Sequence, residues 1–144
     1  MRLLLPLALL GLVFFFTFKK QCTGNIAAAP PRPPADTVLI VLDHFQFDTL
    51  LNTQRNVILL DLRSAGEFAE GHIWRSTSMD ATDSLFYNRL LALGKENTFA
   101  LYCSNGNTGG EVGKKMKADG FKKIYVLRDG LLKWSDTGRA LQLH

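Results

Sequence analysis

Hydrophobic and polar positions alternate in blocks from residue 37 onward, with short apolar or β-branched runs separated by stretches of helical spacing. Runs without alternation indicate strands that are buried on both faces, and strands alternating with helices form mostly parallel sheets. The pattern therefore predicts an α/β domain with a mostly parallel sheet covered by helices on each side. The predicted strands are Val38–Leu42, Val57–Leu60, a short piece near Ser78, Phe99–Tyr102 and Lys123–Leu127, and the predicted helices are Phe45–Leu51, Ala65–Glu70, Ser84–Leu93, Thr108–Ala118 and Gly130–Ser135.

A different pattern precedes this domain, because Leu3–Phe18 is an almost unbroken apolar run flanked by Arg2 and by Lys19 and Lys20. As a helix the run would span about 24 Å at ~1.5 Å per residue, whereas a bilayer core is ~30 Å thick. Signal peptides have apolar regions of about 7–15 residues. The length of the run therefore fits a cleaved signal and a short anchor almost equally well.

Composition divides the chain into a hydrophobic signal or anchor segment (residues 1–21), a Pro-rich linker (residues 22–36) and one domain (residues 37–144). The small residues Ala27–Ala29, which a signal peptidase would need, lie behind two lysines and directly before Pro30. We therefore expect an uncleaved anchor that contacts the membrane through residues 3–18. The protein is expected to be membrane-anchored or exported, with the periplasmic or extracytoplasmic side preferred.

The net charge of +4 belongs to the leader, where all four charged residues before Asp36 are basic. From Asp36 onward 13 basic side chains balance 13 acidic ones. Nucleic-acid binding needs a basic stripe, so it is not expected. The two cysteines, Cys22 and Cys103, are too few for a disulfide framework or a zinc cage, and the three histidines lack the spacing of a helical metal site. We expect neither a metal nor a cofactor.

Cys103 begins a short polar segment between a predicted buried strand and a predicted helix. The segment continues through Ser104, Asn105, Gly106, Asn107, Thr108 and Gly109. Glycines at 106, 109 and 110 permit tight or positive-φ conformations in which successive backbone N–H groups converge, and a helix N-terminus adds partial positive charge. A thiolate is stabilised in such a setting. The segment predicts Cys103 as a nucleophile, with a buried, inert cysteine as the alternative.

Three segments carry a family resemblance. Asp61–Ile73 holds an Asp-x-Arg followed by Glu, an aromatic residue and Gly-His-Ile; Cys103–Thr108 is a six-residue loop with glycine fourth; and Leu127–Trp134 ends in Gly-x-x-x-Trp. In this order and spacing they resemble the amino-terminal signature, the active loop and the carboxy-terminal signature of the rhodanese family of sulfurtransferases. The resemblance runs from about Thr37 to Leu141.

This resemblance implies a five-stranded parallel sheet flanked by helices and a Cys103 that cycles between thiolate and persulfide. Residues 104–109 would bind the substrate. The implied partners are a small sulfane-sulfur donor such as thiosulfate and a thiophilic acceptor, which is cyanide or a thiol, with a protein thiol as a further candidate. Such chemistry needs a stabilised thiolate rather than a metal or a cofactor.

Departures from the family pattern concern the charge of the loop. Neutral Ser104 and Asn105 stand where some members carry cations, and Thr108 stands where many carry arginine. Affinity for a dianionic donor is therefore in question. The sequence leaves three cations as candidates to supply the missing charge: Arg75, Lys114 and Arg128.

Asp61 and Arg63 have two roles open to them, either contacting the substrate or bracing the loop through an ion pair and hydrogen bonds to its backbone, and bracing is favoured. For the whole protein, the alternative to an enzyme is a membrane-anchored persulfide carrier or interaction module with little turnover of small donors. A phosphatase or arsenate reductase on a related scaffold is disfavoured, because that chemistry needs an arginine at the end of the loop.

Overall fold

The computed structural model describes residues 35–143, which form one five-stranded sheet with helices on both faces. The strands are β1 (Val38–Leu42), β2 (Val57–Asp61), β3 (Thr77–Ser78), β4 (Thr98–Tyr102) and β5 (Lys123–Leu127). The helices are α1 (His44–Thr53), α2 (Ala65–Glu70), α3 (Phe86–Ala92), α4 (Asn107–Ala118) and α5 (Gly130–Asp136). The strand order is β1-β5-β4-β2-β3, and every pairing is parallel. The predicted α/β class and the parallel sheet are confirmed.

The hydrophobic anchor predicted for residues 1–21 and nearly all of the predicted linker lie outside the described residues. Across residues 35–143, no helix is both long enough and apolar enough to cross a bilayer.

Alternate side chains of the central strands belong to two separate hydrophobic cores, one on each face of the sheet. Phe99 and Leu101 of β4 join one cluster with α3 and α4, whereas Ala100 and Tyr102 join the other with α1 and α5. Neighbouring residues of a strand point to opposite faces, so a strand buried on both sides must be apolar at consecutive positions. The uninterrupted apolar run of β4 is explained by this arrangement.

One expectation needs correction at the edge of the sheet. The sequence predicts cover on both sides, yet Val38, Ile40 and Val41 of β1 are each more than a third exposed. β1 pairs only with β5, and within β1 Leu39 and Leu42 pack against the two core clusters. The apolar run of β1 resembles that of a central strand, so sequence pattern alone did not distinguish the edge.

Local hydrogen bonds explain the shifted start of α3. α3 begins at Phe86 rather than at Ser84, because the Asp83 side chain accepts the N–H of Leu85 at 2.8 Å and the Asp83 carbonyl accepts that of Phe86 at 2.9 Å. β2 continues to Asp61, one residue beyond the prediction. Since all strands are parallel, the carboxyl ends of β2, β4 and β5 meet at one edge, where functional groups of open α/β sheets usually lie.

Candidate active site

Cys103 directly follows β4 and is 4% exposed. Its Sγ accepts a hydrogen bond from the N–H of Gly106 at 3.2 Å. Gly106 is the N-cap residue of α4. Asn105 Oδ1 lies 3.9 Å from the same sulfur and accepts the N–H of Asn107 at 3.1 Å. A backbone N–H and the N-terminus of α4 therefore both lie at the sulfur atom, an arrangement of the kind found around reactive cysteines.

The start of α5 holds the backbone of the cysteine loop. The N–H of Leu131 donates to the Cys103 carbonyl at 2.8 Å, and that of Leu132 donates to the Ser104 carbonyl at 3.1 Å. These bonds turn two loop carbonyls toward α5. The amides at the N-terminus of α5, which a helix leaves without internal partners, are satisfied in the same way.

Two glycines allow this close approach. Gly130 has φ 63°, and a Cβ there would lie 2.5 Å from the carbonyl oxygens of both Cys103 and Ser104. Gly106 has φ 88°, and a Cβ there would overlap the Arg128 carbonyl oxygen. The cysteine loop and the turn before α5 therefore interlock at two positions where no side chain fits.

Glu67 joins the cysteine loop to α2. Its Oε1 accepts the hydroxyl of Ser104 at 2.9 Å, while its Oε2 accepts the hydroxyl of Ser64 at 2.9 Å within the capping box of α2. The hydrogen bonds from Ser64 and Ser104 hold the pKa of Glu67 below its usual value. The side chain is therefore a carboxylate at neutral pH, on the rim of the cysteine site.

Asp61 and Arg63 form a buried ion pair at 2.6 Å, with side chains that are 0% and 8% exposed. Burial alone would lower the pKa of Arg63, but the hydrogen bonds and charge of Asp61 raise it. The guanidinium also donates to the Gly71 carbonyl at 2.7 Å. Among the described residues, none of the pair's hydrogen bonds ends on residues 103–109. The expectation that the pair bonds directly to the loop backbone is therefore wrong, and any bracing of the loop is indirect.

That indirect arrangement passes through β4 and the segment after α2. Leu62, between the paired residues, donates its N–H to the Tyr102 carbonyl at 2.9 Å. The buried Tyr102 hydroxyl accepts the N–H of Ile73 at 3.1 Å and lies 2.9 Å from the Ser76 hydroxyl. Burial raises the pKa of Tyr102, so its phenol stays protonated. The loop-bracing role of Asp61 and Arg63 stays a prediction in this indirect form.

A cavity of about 270 Å³ opens over Cys103. Its charged lining residues are Arg63, Glu67 and Asp80. Hydrogen bonds from the side chain and backbone of Thr82 lower the pKa of Asp80, so this second carboxylate is also ionised at neutral pH. Because Arg63 is already paired with Asp61, the rim carries an excess of negative charge.

The structure gives the predicted loop residues different positions. Ser104, Asn105 and Thr108 line the cavity together with Cys103. Asn107, Thr108 and Gly109 belong to the first turn of α4, which begins one residue earlier than predicted. Of the three glycines that permit such conformations, Gly106 has a positive φ, whereas Gly109 and Gly110 are helical. None of the cations left as candidates lines this cavity, namely Arg75, Lys114 and Arg128.

Sequence reasoning gave no role at the site to three residues, Glu67, Asp80 and Gly130, although Glu67 and Gly130 belong to the signature segments. The sequence does indicate the capping role of Glu67, since Ser64-x-x-Glu67 is a capping-box pattern. Nothing local to the sequence indicates that the same carboxylate also accepts a hydrogen bond from Ser104, 37 residues later. Asp80 reaches the rim because β3 places the following turn next to β2.

The profile of the Rhodanese-like domain family matches residues 46–137, which is more than half of the chain. No curated protein matches the chain significantly. A family profile of this kind indicates sulfur transfer in general terms.

Solved structures share the fold at low sequence identity. A rhodanese-related protein from Thermoplasma volcanium has 17% identity and a TM-score of 0.63, covering 73% of this chain and 99% of that one. A rhodanese-like domain protein from Staphylococcus aureus has 19% identity and a TM-score of 0.62, covering 73% and 98%. A homodimeric polysulfide-sulfur transferase from Wolinella succinogenes has 22% identity and a TM-score of 0.62, covering 74% and 80%.

Proposed function

Because this chain belongs to the rhodanese-like domain family, we propose that it is a sulfurtransferase that works through a persulfide on Cys103. It moves a sulfane sulfur from a donor such as thiosulfate to a thiophilic acceptor, which is cyanide or a thiol. The substrates meet the enzyme in the cavity lined by Ser104, Asn105 and Thr108.

The reaction proceeds in two displacements. In the first, the Cys103 thiolate attacks the outer sulfur of thiosulfate, an S–S bond forms on the protein, and sulfite leaves with the electron pair of the broken S–S bond. In the second, the carbon of cyanide attacks the terminal persulfide sulfur. Thiocyanate then leaves and the thiolate is restored, with no net change in the protein.

The hydrogen bond from the Gly106 N–H to Cys103 Sγ carries the proposal. It places a donor and the N-terminus of α4 at the atom that must be negative before attack. The carbonyls of Cys103 and Ser104 are turned toward α5 by their own hydrogen bonds, so they do not compete for the space around the sulfur. Donors arranged before the reaction require no reorganisation when charge develops.

The acidic rim favours a second candidate, a persulfide carrier with little turnover of small donors. Glu67 and Asp80 are both ionised at neutral pH, and Arg63 is neutralised by Asp61. A dianion such as thiosulfate is repelled by these two carboxylates. A persulfide presented on a protein surface with basic side chains would instead be attracted.

The test is intact mass spectrometry of the full-length protein after incubation with thiosulfate, followed by measurement of thiocyanate after cyanide is added. The protein should gain one sulfur atom and lose it to cyanide. Cys103→Ser should abolish both signals, while Cys22→Ser, which removes the other cysteine of the chain, should leave them unchanged. Full thiocyanate production by Cys103→Ser would show that the assigned nucleophile is wrong.

The same measurement separates the enzyme from the carrier. An enzyme releases many equivalents of thiocyanate for each protein molecule. A carrier gains sulfur from a persulfidated protein donor and releases about one equivalent, with slow reloading by thiosulfate.

A further inference from the structure

A second cavity, of about 210 Å³, lies on the α1 and α5 side of the sheet. It shares no lining residue with the cavity over Cys103. Its apolar lining comes from α1, β2 and the segment after α2, through Leu51, Val57, Leu59 and Ile73. The sulfur-transfer reaction proposed above makes no use of this cavity.

Two indole rings complete the apolar lining. Trp74 is 63% exposed, whereas Trp134 of α5 is 4% exposed and packs edge-on against Phe47 at a centroid distance of 6.2 Å. Aromatic walls of this kind are typical of sites that take flat or branched apolar groups.

The Nε1 atom of Trp134 is buried and has no hydrogen-bond partner among residues 35–143. An indole N–H is a donor only, and leaving it unpaired in the interior costs free energy. Less than 1 Å² of Nε1 is exposed, so a ligand in the cavity contacts other atoms of Trp134 rather than this N–H.

The cavity also holds an excess of positive charge. Of its charged lining residues, Arg139 is paired with Asp48 at 3.2 Å, so the two charges offset each other. Arg75 lies over the Trp74 ring at 5.4 Å and donates to the Arg55 carbonyl at 2.7 Å. No carboxylate of the described part of the chain forms an ion pair with Arg75.

The backbone at Arg75 supports a role for this side chain. Arg75 is the one non-glycine residue with positive φ in the described region, at 70°. Such a conformation is unfavourable for a residue with a Cβ, and it persists where the surroundings hold it in place. Here it accompanies a guanidinium that stacks on an exposed indole at the mouth of a cavity.

From these observations we propose that the cavity binds a small monocarboxylate with an apolar body of about one ring. The ring or branched chain lies against the apolar lining and the indoles. The carboxylate accepts hydrogen bonds from Arg75, which supplies the complementary charge. Asp48 and Arg139 close the polar side as an ion pair. The proposal is independent of the sulfur chemistry, because Cys103 is not part of this cavity.

Phenylacetate is a suitable probe, titrated into full-length protein labelled with nitrogen-15 at tryptophan. The chain has two tryptophans, so two indole N–H signals are expected, and Trp74→Phe assigns them. The Trp134 signal should move saturably with phenylacetate. Phenylacetamide, which has the same ring without the charge, should bind about tenfold more weakly, as expected for losing a charged hydrogen-bond partner.

Variants test the assigned charge. Arg75→Gln should weaken phenylacetate binding about tenfold, and Arg75→Lys should retain most of it, because it keeps the charge. Lys133→Gln removes a charge from α5 outside the cavity and should change nothing. The proposal is overturned if the Trp134 signal stays still or shifts without saturation, or if phenylacetamide binds as tightly as phenylacetate. It is also overturned if Arg75→Gln binds like the parent protein.

Discussion

Ser104 donates its hydroxyl to Glu67 Oε1 at 2.9 Å, which ties the residue after Cys103 to the capping box of α2. Glu67 thus serves two elements at once, with one oxygen on Ser64 and the other on Ser104. Because of this contact, the charge nearest the loop is the negative charge of the Glu67 carboxylate. The neutral residues of the loop are accompanied by a carboxylate that the sequence motif alone does not associate with them.

Removing the Ser104 hydroxyl should raise the pKa of Glu67. In Ser104→Ala one of the three hydrogen bonds that lower this pKa is lost, so the value should move toward that of an ordinary glutamate. Because the folded-state pKa is depressed, the contact contributes stability above the unfolded pKa of about 4.3 and loses it as pH falls through the folded value. Carbon-detected NMR titration of the carboxyl groups measures the shift. Asp80, whose pKa is lowered by Thr82, is the internal control and should not change.

Neutralising Glu67 should improve the use of thiosulfate. In Glu67→Gln the single amide oxygen can accept either from Ser104 or from Ser64 of the capping box, so one of the two contacts is weakened along with the loss of charge. The KM for thiosulfate should fall roughly fivefold, with a smaller change in kcat, because repulsion of the dianion acts on substrate and transition state alike. Ser104→Arg should lower KM for the same reason.

The control for that experiment is Glu111→Gln, an exposed carboxylate on α4 that does not line the cavity. Steady-state kinetics at low ionic strength gives the clearest comparison, since salt screens the effect. An unchanged or higher KM in Glu67→Gln would mean that the rim charge does not govern donor binding.

Alanine at Gly130 or Gly106 should destabilise the domain and disrupt the cysteine loop. Each position combines a positive φ with a backbone atom where the Cβ would lie, so we expect a loss of about 2–4 kcal/mol in the free energy of unfolding. Gly110→Ala is the matched control, because that glycine is helical and has open space at the Cβ position. It should gain about 0.5–1 kcal/mol. Denaturant unfolding measures all three, and equal stabilities would contradict the interlocked turns.

Breaking the buried ion pair from one side should be costly. In Asp61→Asn the Arg63 guanidinium, with a side chain only 8% exposed, keeps its charge and loses its partner, so unfolding should become easier by about 3–5 kcal/mol. Asp136→Asn, at an exposed position of α5, should stay within about 0.5 kcal/mol of the parent. If the two variants are equally stable, the pair has no bracing role.

The leader prediction concerns residues outside the described part of the chain and rests on sequence alone. We propose that the mature protein keeps its amino terminus and fractionates with membranes, because the alanines that would suit cleavage lie behind Lys19 and Lys20 and before Pro30. Amino-terminal sequencing of protein from its native host, together with fractionation, tests this. A mature start between Cys22 and Asp36 in soluble protein would show that the run is a removed signal.

The sequence determined the order and type of the elements, because burial on two faces forces uninterrupted apolar strands such as Val57–Leu60 and Phe99–Tyr102. It also singled out Cys103 as the candidate nucleophile, since a strand, a polar loop rich in glycine and a helix start are adjacent in the chain. These features are local: each depends on residues within about one element of one another.

Tertiary structure alone decided the contacts between distant segments. The partnership of Glu67 with Ser104, the fit of Gly130 against the Cys103 carbonyl and the place of Asp80 on the rim depend on which strand ends become neighbours in the sheet. The exposure of β1 was likewise set by its edge position rather than by its own residues. An apolar pattern predicts the type of element, but the packing of the whole chain selects its neighbours and its exposure, which is why the loop was visible in the sequence and its surroundings were not.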